Sequence, residues 1–425
     1  MRVLIINTSE RTGGAAVAAN RLMEALNNNG VKAKMLVREK QSDNISVVGL
    51  HDSILSQRHF ISERLSLLPR LKFNKKHLFD VDIASSGFDV TKLREFQEAD
   101  IIHLHWINQG MLSLAGIRKI LDSGKPVVWT MHDAWPATAI CHLTLECKRF
   151  KSYCHHCRYL PGGGSEHDLS NKVWRRKQAM LKDQNVHFVA CSKWLEKEAK
   201  QSALLAGQNI TSIPNPIDTR VYKPKDKTAA RKALNLPTDK KLILFVSHRV
   251  TNAYKGMDHL VEACQMMVKQ RPELAQNTEV VILGGHAEDV QPLLPLKSHP
   301  LGYMSDERMI VDVYNAADVF VLPSLSDNLP NTIMEAMACG VPCVAFNVGG
   351  IPEEIDHMKN GYVAAYRDST DLMKGIQWVL CEADYNNLCL QAVKKVTTNY
   401  SQNNVSLKYI EVYNHALAYK NYGIL

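Results

Sequence analysis

The sequence predicts an α/β protein built from two parallel-sheet domains. Three observations carry that expectation. The length of 425 residues accommodates two or three domains at about 150 residues each. Short β-branched runs alternate with stretches of helical spacing, the pattern of a parallel sheet with both faces covered. That alternation then restarts in the second half of the chain, after a proline-rich break. Apolar residues make up 45% and charged residues 22%, which suits a chain with a sizeable core and excludes disordered, collagen-like and small disulfide-rich proteins. No apolar run approaches the ~18 residues that span a bilayer, and the apolar stretch at the N-terminus is too short for a signal peptide. The expectation is a cytoplasmic protein, resting at most on the inner face of a membrane, with reduced cysteines.

In chain order, residues 2–8 form a β-branched run followed by the loop 9–14. Residues 15–28 have helical spacing, with Val17, Leu22 and Leu26 apolar and Gly30 as a stop. Residues 31–37 alternate like a second strand. Further strands are expected at 100–106, 126–131 and 186–191, with a helix over 112–121. Residues 51–98 are basic and amphipathic without a clear period. Pro214 and Pro216 disfavour a continuous element and mark an extended crossover, so the first domain ends at residue 215. Beyond it, strands are expected at 242–247, 280–284, 318–323 and 341–346, with a helix over 258–269 and a helical C-terminus. No repeat at the level of residues accompanies the restart. Two such domains put a cleft between the carboxyl ends of two sheets, where ligands bind.

Charge divides unevenly. Residues 1–215 hold 30 Lys and Arg against 20 Asp and Glu, while residues 216–425 hold 21 against 23. A basic first half suits an anionic partner, whether nucleic acid, a membrane surface or a phosphorylated lipid. No nucleic-acid reading module accompanies it, so nucleic acid is not expected.

The most informative segment runs from Asp327 to Pro342. It follows a strand and opens a helix, with Asp327 in the loop and Glu335 about a turn into the helix. The first-turn N–H groups of such a helix have no intrahelical partner and carry the positive end of its dipole, a site for phosphate. Glu335 is placed to accept hydrogen bonds from sugar hydroxyls; the alternative is a helix merely capped by Asn331 or Thr332, with solvated acids. Upstream, Arg249 ends a strand and Lys255 lies six residues on. Such a pair can grip a diphosphate, one as a planar fork and one as a point charge; alone, it is equally an ordinary solvated loop.

These residues resemble the family-four retaining glycosyltransferases of GT-B fold, two Rossmann-like domains facing across a cleft. The family's E-x7-E signature aligns as Asp327…Glu335, followed by Ala336, Met337, Ala338, Gly340 and Pro342. The resemblance implies that Asp327 touches the transferred sugar, that Glu335 binds the nucleotide ribose, and that Leu329, Asn331 and Thr332 belong to the donor site. Asp stands where Glu is usual, shortening the reach by about 1.5 Å. By the same resemblance Arg249 and Lys255 stabilise charge on the leaving diphosphate, and His132, at the end of the strand 126–131, hydrogen-bonds the donor sugar. Gly13 and Gly14, in the loop after the first strand, face the donor phosphates. Tyr303, after a short strand, is placed near the base. The domains then become an acceptor-side domain at 1–215, a nucleotide-sugar donor domain at 216–398, and a helix at 399–425 crossing back to the first.

The implied activity is transfer of a hexose-type sugar from a nucleoside diphosphate sugar of UDP or GDP type. The acceptor is a saccharide or a lipid-linked saccharide in bacterial polysaccharide assembly. No cofactor is required for catalysis. The rivals are an epimerase or phosphorylase on the same fold, and a nucleotide-sugar-binding protein of weak activity. Four features stand apart. Asp80-Val81-Asp82 matches a D-x-D metal motif of a different glycosyltransferase fold and is discounted. His103 and His105 share one strand face, as packed imidazoles or within reach of the acceptor. Cys141, Cys147, Cys154 and Cys157 fall within 17 residues, as a structural zinc site or as a free-thiol loop. Finally, Arg58, Arg64, Arg70, Lys72, Lys75 and Lys76 are interleaved with large apolar residues. That is either a membrane-facing patch for a lipid-linked acceptor or a solvated helix.

Overall fold

The structure, a computed structural model, describes residues 1–50 and 53–422. It divides into two compact units, Met1–Pro216 with the chain from Val405 onward, and Ile217–Asn404.

The first unit is built on seven strands: β1 (Arg2–Ser9), β2 (Lys32–Glu39), β3 (Val47–Gly49), β4 (Ile101–Leu104), β5 (Val127–Met131), β6 (Val186–Ala190) and β7 (Asn209–Ser212). They pair in the order β3-β2-β1-β4-β5-β6-β7, and every pairing is parallel. Side-chain alternation along β1 explains its burial on both faces. Val3 and Ile5 join Leu22, Leu26, Tyr409 and Tyr413 on one side, while Leu4 and Ile6 join Trp129 and Phe188 on the other. The helices that cover the first face are Gly14–Asn28 and the C-terminal Gln402–Tyr422. The latter re-enters the first unit at Val405 rather than at 399. Tyr413 donates or accepts at His103 Nδ1 at 2.7 Å, and the Tyr409 hydroxyl lies 3.0 Å from Thr130 Oγ1.

The second unit has six strands: β8 (Lys241–Arg249), β9 (Thr278–Gly285), β10 (Ser298–Gly302), β11 (Val319–Leu322), β12 (Cys343–Phe346) and β13 (Gly361–Ala364). Their order is β10-β9-β8-β11-β12-β13, again all parallel. Both sheets thus share the 3-2-1-4-5-6 order of doubly wound folds, with a seventh strand added to the first. In each, the order reverses beside the unit's first strand, and this is where ligands bind in open α/β sheets. The two reversal points are β1/β4 and β8/β11.

Among its described residues, the opaque stretch 51–98 contributes the helices Ser53–Leu67 and Arg94–Glu98, short single-turn helices and loops, and no strand of the sheet. Its basic residues do not all face outward. Arg64 is buried and ion-paired to Asp82 at 2.6 Å. Asp82 also accepts from the backbone N–H of Ala84 and Gln109 at 3.0 Å each, so it is a structural carboxylate. Ile54, Ile61, Leu65, Phe73 and Phe79 are exposed in the same stretch.

Candidate active site

At the β8/β11 reversal, β8 ends at Arg249 and the chain makes two successive turns. Asn252 N–H donates to Arg249 O at 3.1 Å, and Lys255 N–H to Asn252 O at 2.9 Å. Arg249 is exposed, its Nε donating to Thr251 Oγ1 at 3.2 Å. Lys255 Nζ reaches Asp327 Oδ2 at 2.6 Å, across 72 residues of sequence. Both side chains are half-buried, with 27% and 16% exposed. The ion pair therefore stays open to a ligand, and a charge-assisted bond of this length fixes the ammonium's position.

Backbone contacts hold the two loops together. Leu325 N–H donates to Tyr254 O at 2.8 Å, and Gly350 N–H to Asn328 O at 2.8 Å. Two glycines make the approach possible. A Cβ on Gly256 (φ 74°) would stand 1.8 Å from Pro323 O, and one on Gly349 (φ 59°) 1.7 Å from Asp327 O. Both φ values lie in the left-handed region that glycine adopts without strain.

The helix Asn331–Ala338 follows, with Pro330 in the N-cap position and no side-chain cap. Neither Asn331 nor Thr332 caps it, so the capped-helix alternative fails. Proline offers no side-chain oxygen to the first turn, and the Ile333 N–H is taken by Pro330 O at 3.0 Å. Leu329 is buried at the start of this turn, so its contribution to a polar ligand is through its backbone. Glu335 is buried one turn in and accepts from the Tyr314 hydroxyl at 2.7 Å. Burial, then the adjacent Glu335 carboxylate, push the Tyr314 phenol well above its usual range. Tyr303 follows β10, exposed, its ring edge-on to His248 of β8 at 5.5 Å.

One residue here escaped the sequence. Glu354 is fully buried and neither carboxylate oxygen has a hydrogen-bond partner. Burial, then the charges of Asp327 and Glu353, raise it well above the usual carboxylate range. It sits in the run Ile351–Glu354 next to a second glutamate, and nothing in that run marks which of the two turns inward.

In the first unit, the ends of β4 and β5 gather buried imidazoles. Gly13 (φ 89°) is the N-cap of Gly14–Asn28, with open space where a Cβ would stand. His132, just past β5, has Nε2 2.9 Å from His105 Nδ1 and Nδ1 3.5 Å from Cys191 Sγ. Burial, opposed by Asp133, lowers His132 to about 4. His103 and His105 are held well below their usual value by burial, and then by their neighbouring histidines. His103 is a packed imidazole, bridging Tyr413 and Thr130. His105 Nε2 is buried without a partner. Asp133 orients this corner, accepting from Trp106 Nε1 at 2.9 Å, Trp135 N–H at 2.8 Å and His142 Nδ1 at 2.8 Å.

Cys141, Cys147, Cys154 and Cys157 lie in the loop that follows, all as free thiols. Burial raises Cys141 to about 11 and Cys154 and Cys157 to about 12.

The two halves of the chain match two family models. Glycosyltransferase Family 4 matches residues 12–221, and Glycosyl transferases group 1 matches residues 226–396. Among curated relatives, a D-inositol 3-phosphate glycosyltransferase of Catenulispora acidiphila is 28% identical over 44% of this chain and 46% of its own length. The N-acetyl-alpha-D-glucosaminyl L-malate synthase of Bacillus anthracis is 26% identical over 48% of this chain and 54% of its own. The chain thus spans about half the length of these relatives. An uncharacterised glycosyltransferase of Methanocaldococcus jannaschii is 23% identical over 80% of this chain and 90% of its own.

Solved structures align over nearly the whole chain and show the fold. Sucrose-phosphate synthase from Thermosynechococcus elongatus superposes with a TM-score of 0.67 at 17% identity, covering 98% of this chain and 99% of that one. Anabaena HepE, solved in complex with UDP-glucose, superposes with a TM-score of 0.63 at 16% identity, covering 98% and 100%. With each half matched by its own model and both sheets wound in the same order, the chain belongs to the family-four glycosyltransferases of GT-B fold.

Proposed function

We propose that the chain transfers a hexose-type sugar from a nucleoside diphosphate sugar, with retention of configuration, onto a saccharide or lipid-linked acceptor in bacterial polysaccharide assembly. The observation that carries this is the Lys255–Asp327 ion pair at the β8/β11 reversal. It holds a half-buried cation beside a helix N-terminus that no side chain caps. A diphosphate needs cations and N–H donors together, and both are here. In this reading Lys255 and Arg249 take up the charge that grows on the leaving diphosphate as the glycosidic bond breaks. Asp327 sets Lys255 in place and faces the transferred sugar. Glu335, held by Tyr314, receives the ribose hydroxyls, with Asn331, Thr332 and the Leu329 backbone on the phosphates and Tyr303 near the base. The acceptor hydroxyl gives its proton to the leaving phosphate, so no separate general base is invoked.

UDP is the first donor base to test, since HepE binds UDP-glucose; GDP is the second. Among the described residues no helix is long and apolar enough to cross a membrane. The exposed Ile54, Ile61, Leu65, Phe73 and Phe79, beside Arg70, Lys72, Lys75 and Lys76, are the surface we assign to an anionic membrane on the cytoplasmic side.

The test is a thermal-shift panel of UDP, GDP, ADP and CMP with their common sugars. A ligand at 100 times its Kd stabilises by about 2.7 kcal/mol. One nucleotide is expected to raise Tm, and Lys255→Ala to abolish that rise while leaving the unliganded Tm unchanged. A panel in which nothing shifts Tm, or a Lys255→Ala protein that shifts like the parent, overturns the assignment.

A further inference from the structure

We infer that His155, His156 and Glu166 form a site for one divalent transition-metal ion of the zinc class, with a coordination position left open. The three residues lie in the loop between β5 and the helix Leu169–Leu181. Their facing atoms make a triangle. His155 Nδ1 stands 2.7 Å from His156 Nδ1 and 3.2 Å from Glu166 Oε2, and His156 Nδ1 stands 3.6 Å from the same oxygen. With those three sides, a point about 2.1 Å from every atom exists, about 1 Å out of their plane; zinc binds imidazole nitrogen and carboxylate oxygen at about 2.0–2.2 Å. The ligand–metal–ligand angles at that point are about 80°, 100° and 120°, spanning octahedral and tetrahedral geometry. Two imidazoles and one carboxylate are a donor set that such ions take.

Local structure accounts for the convergence. Neighbouring side chains of an extended chain point to opposite sides. His156 instead has φ 44°, a left-handed conformation that few residues other than glycine adopt, and its ring meets that of His155 edge-on at 5.0 Å. The His156 N–H donates to Ser165 O at 2.9 Å, which brings Glu166 beside the pair. Arg149 Nη1 donates to the carbonyl oxygens of His155 and His156 at 2.9 and 3.1 Å. Asp168 Oδ2 accepts from the N–H groups of Cys157 and Ser165 at 2.9 and 3.3 Å, so both strands of the loop are tied. Tyr153 then orients two of the ligands. Its ring stacks on His155 at 4.5 Å, and its hydroxyl donates to Glu166 Oε1 at 2.8 Å, so that Oε2 is the oxygen facing the nitrogens. Outer contacts of this kind hold metal ligands in place.

The three atoms do not satisfy one another. Two neutral rings that both carry Nδ1–H would set donor against donor, and two with bare Nδ1 would join the carboxylate as three acceptors. One metal ion meets all three lone pairs. The side chains of His155, His156 and Glu166 are 21%, 44% and 47% exposed, so an ion enters from solvent and keeps a position for water or an anionic oxygen, as in open zinc sites. The sulfurs of Cys141, Cys147, Cys154 and Cys157, in the same loop, make no comparable group among the described residues. None of the three ligands is among the residues assigned to sugar transfer, so the ion would fix the loop after β5 and has no part in bond breaking.

The experiment is titration of the full chain with cobalt and then zinc, after purification under reducing conditions without a metal-affinity step and removal of metal by EDTA. Calorimetry is expected to give one ion per chain. The cobalt form is expected to show visible ligand-field bands without sulfur-to-cobalt charge-transfer bands. His156→Ala and Glu166→Gln should each weaken binding by at least about tenfold, and Tyr153→Phe by roughly 10–100-fold, whereas the double variant Cys154→Ser, Cys157→Ser should bind like the parent. The cobalt spectrum reads the ligands in the unaltered chain, so the test stands even where a variant fails to fold. Three results overturn the proposal: no uptake of either ion, which would leave an imidazolium paired with Glu166 and nothing more; sulfur charge-transfer bands, which would put the ion on the cysteines; or an affinity unchanged in His156→Ala and Glu166→Gln.

Discussion

Replacing Glu354 by glutamine should stabilise the protein at neutral pH, and by an amount that grows with pH. The carboxyl is fully buried, and neither of its oxygens has a partner. Its pKa is raised well above the ordinary 4.5 by burial, and then by Asp327 and Glu353. The folded state therefore holds a proton that the unfolded chain releases above pH 4.5. Where the native state binds the extra proton, stability falls as pH rises from the unfolded pKa toward the folded one. With the folded pKa raised, the penalty is absent below the unfolded pKa and grows as pH rises from there toward the folded one. Glutamine has the same shape and does not titrate, so the Glu354→Gln protein escapes this term. For a unit of the size of Ile217–Asn404, each 1 kcal/mol of that penalty corresponds to roughly 2–4 °C in Tm. The assay is urea unfolding of parent and variant at pH 5, 6 and 7. A stability difference that does not change between pH 5 and pH 7 would show that Glu354 is ionised in the native state, and the argument would fail.

Three further outcomes follow from the same geometry. Asp327→Glu pushes the carboxylate out by about 1.5 Å from a backbone clamped at Gly349; a misplacement of that order is expected to cost roughly 10²-fold in kcat/KM with the cognate donor, and an unchanged kcat/KM would show that the ion pair with Lys255 does not set the site. Tyr314→Phe removes the donor to buried Glu335, which should lower stability by about 1–3 kcal/mol and raise the KM for the donor more than it lowers kcat; steady-state kinetics beside urea unfolding check both. Tyr413→Ala opens a cavity where a fully buried ring meets His103, at a cost of about 3–5 kcal/mol; a Tm equal to the parent's would deny the C-terminal helix its part in the first unit's core.

The central strands were legible as β-branched or aliphatic runs buried on both faces, as with Leu242–Phe245 and Val319–Leu322, whereas β3, β7 and β13 are short and partly exposed and no sequence pattern marked them. Their ends were less so. The run expected over 100–106 ends as a strand at Leu104; past it the contacts to β1 continue irregularly, with His105 N–H on Ile6 O at 3.0 Å, Trp106 N–H on Asn7 Oδ1 at 2.9 Å and Thr8 N–H on Trp106 O at 2.8 Å. The acids and cations of the second unit were visible as residue types, but their pairing was not. Lys255 meets Asp327 because β8 and β11 are neighbours in the sheet, a fact of strand order rather than of spacing. His103 and Tyr413 stand 310 residues apart, and no local pattern joins them. Glu354 was hidden for the opposite reason. In a short run of two glutamates, the one that turns inward is decided by packing against the sheet, and an acid is the residue least expected there.

The carboxyl ends of the two sheets show how one strand order serves two kinds of chemistry. At the ends of β4 and β5 the side chains that gather are imidazoles, and burial holds His103, His105 and His132 neutral. Such groups can accept or donate a hydrogen bond but cannot balance a phosphate. At β8/β11 the loops leave Arg249 exposed and Lys255 and Asp327 half-buried, so charge survives because water still reaches it. Desolvation thus makes the difference between the two places.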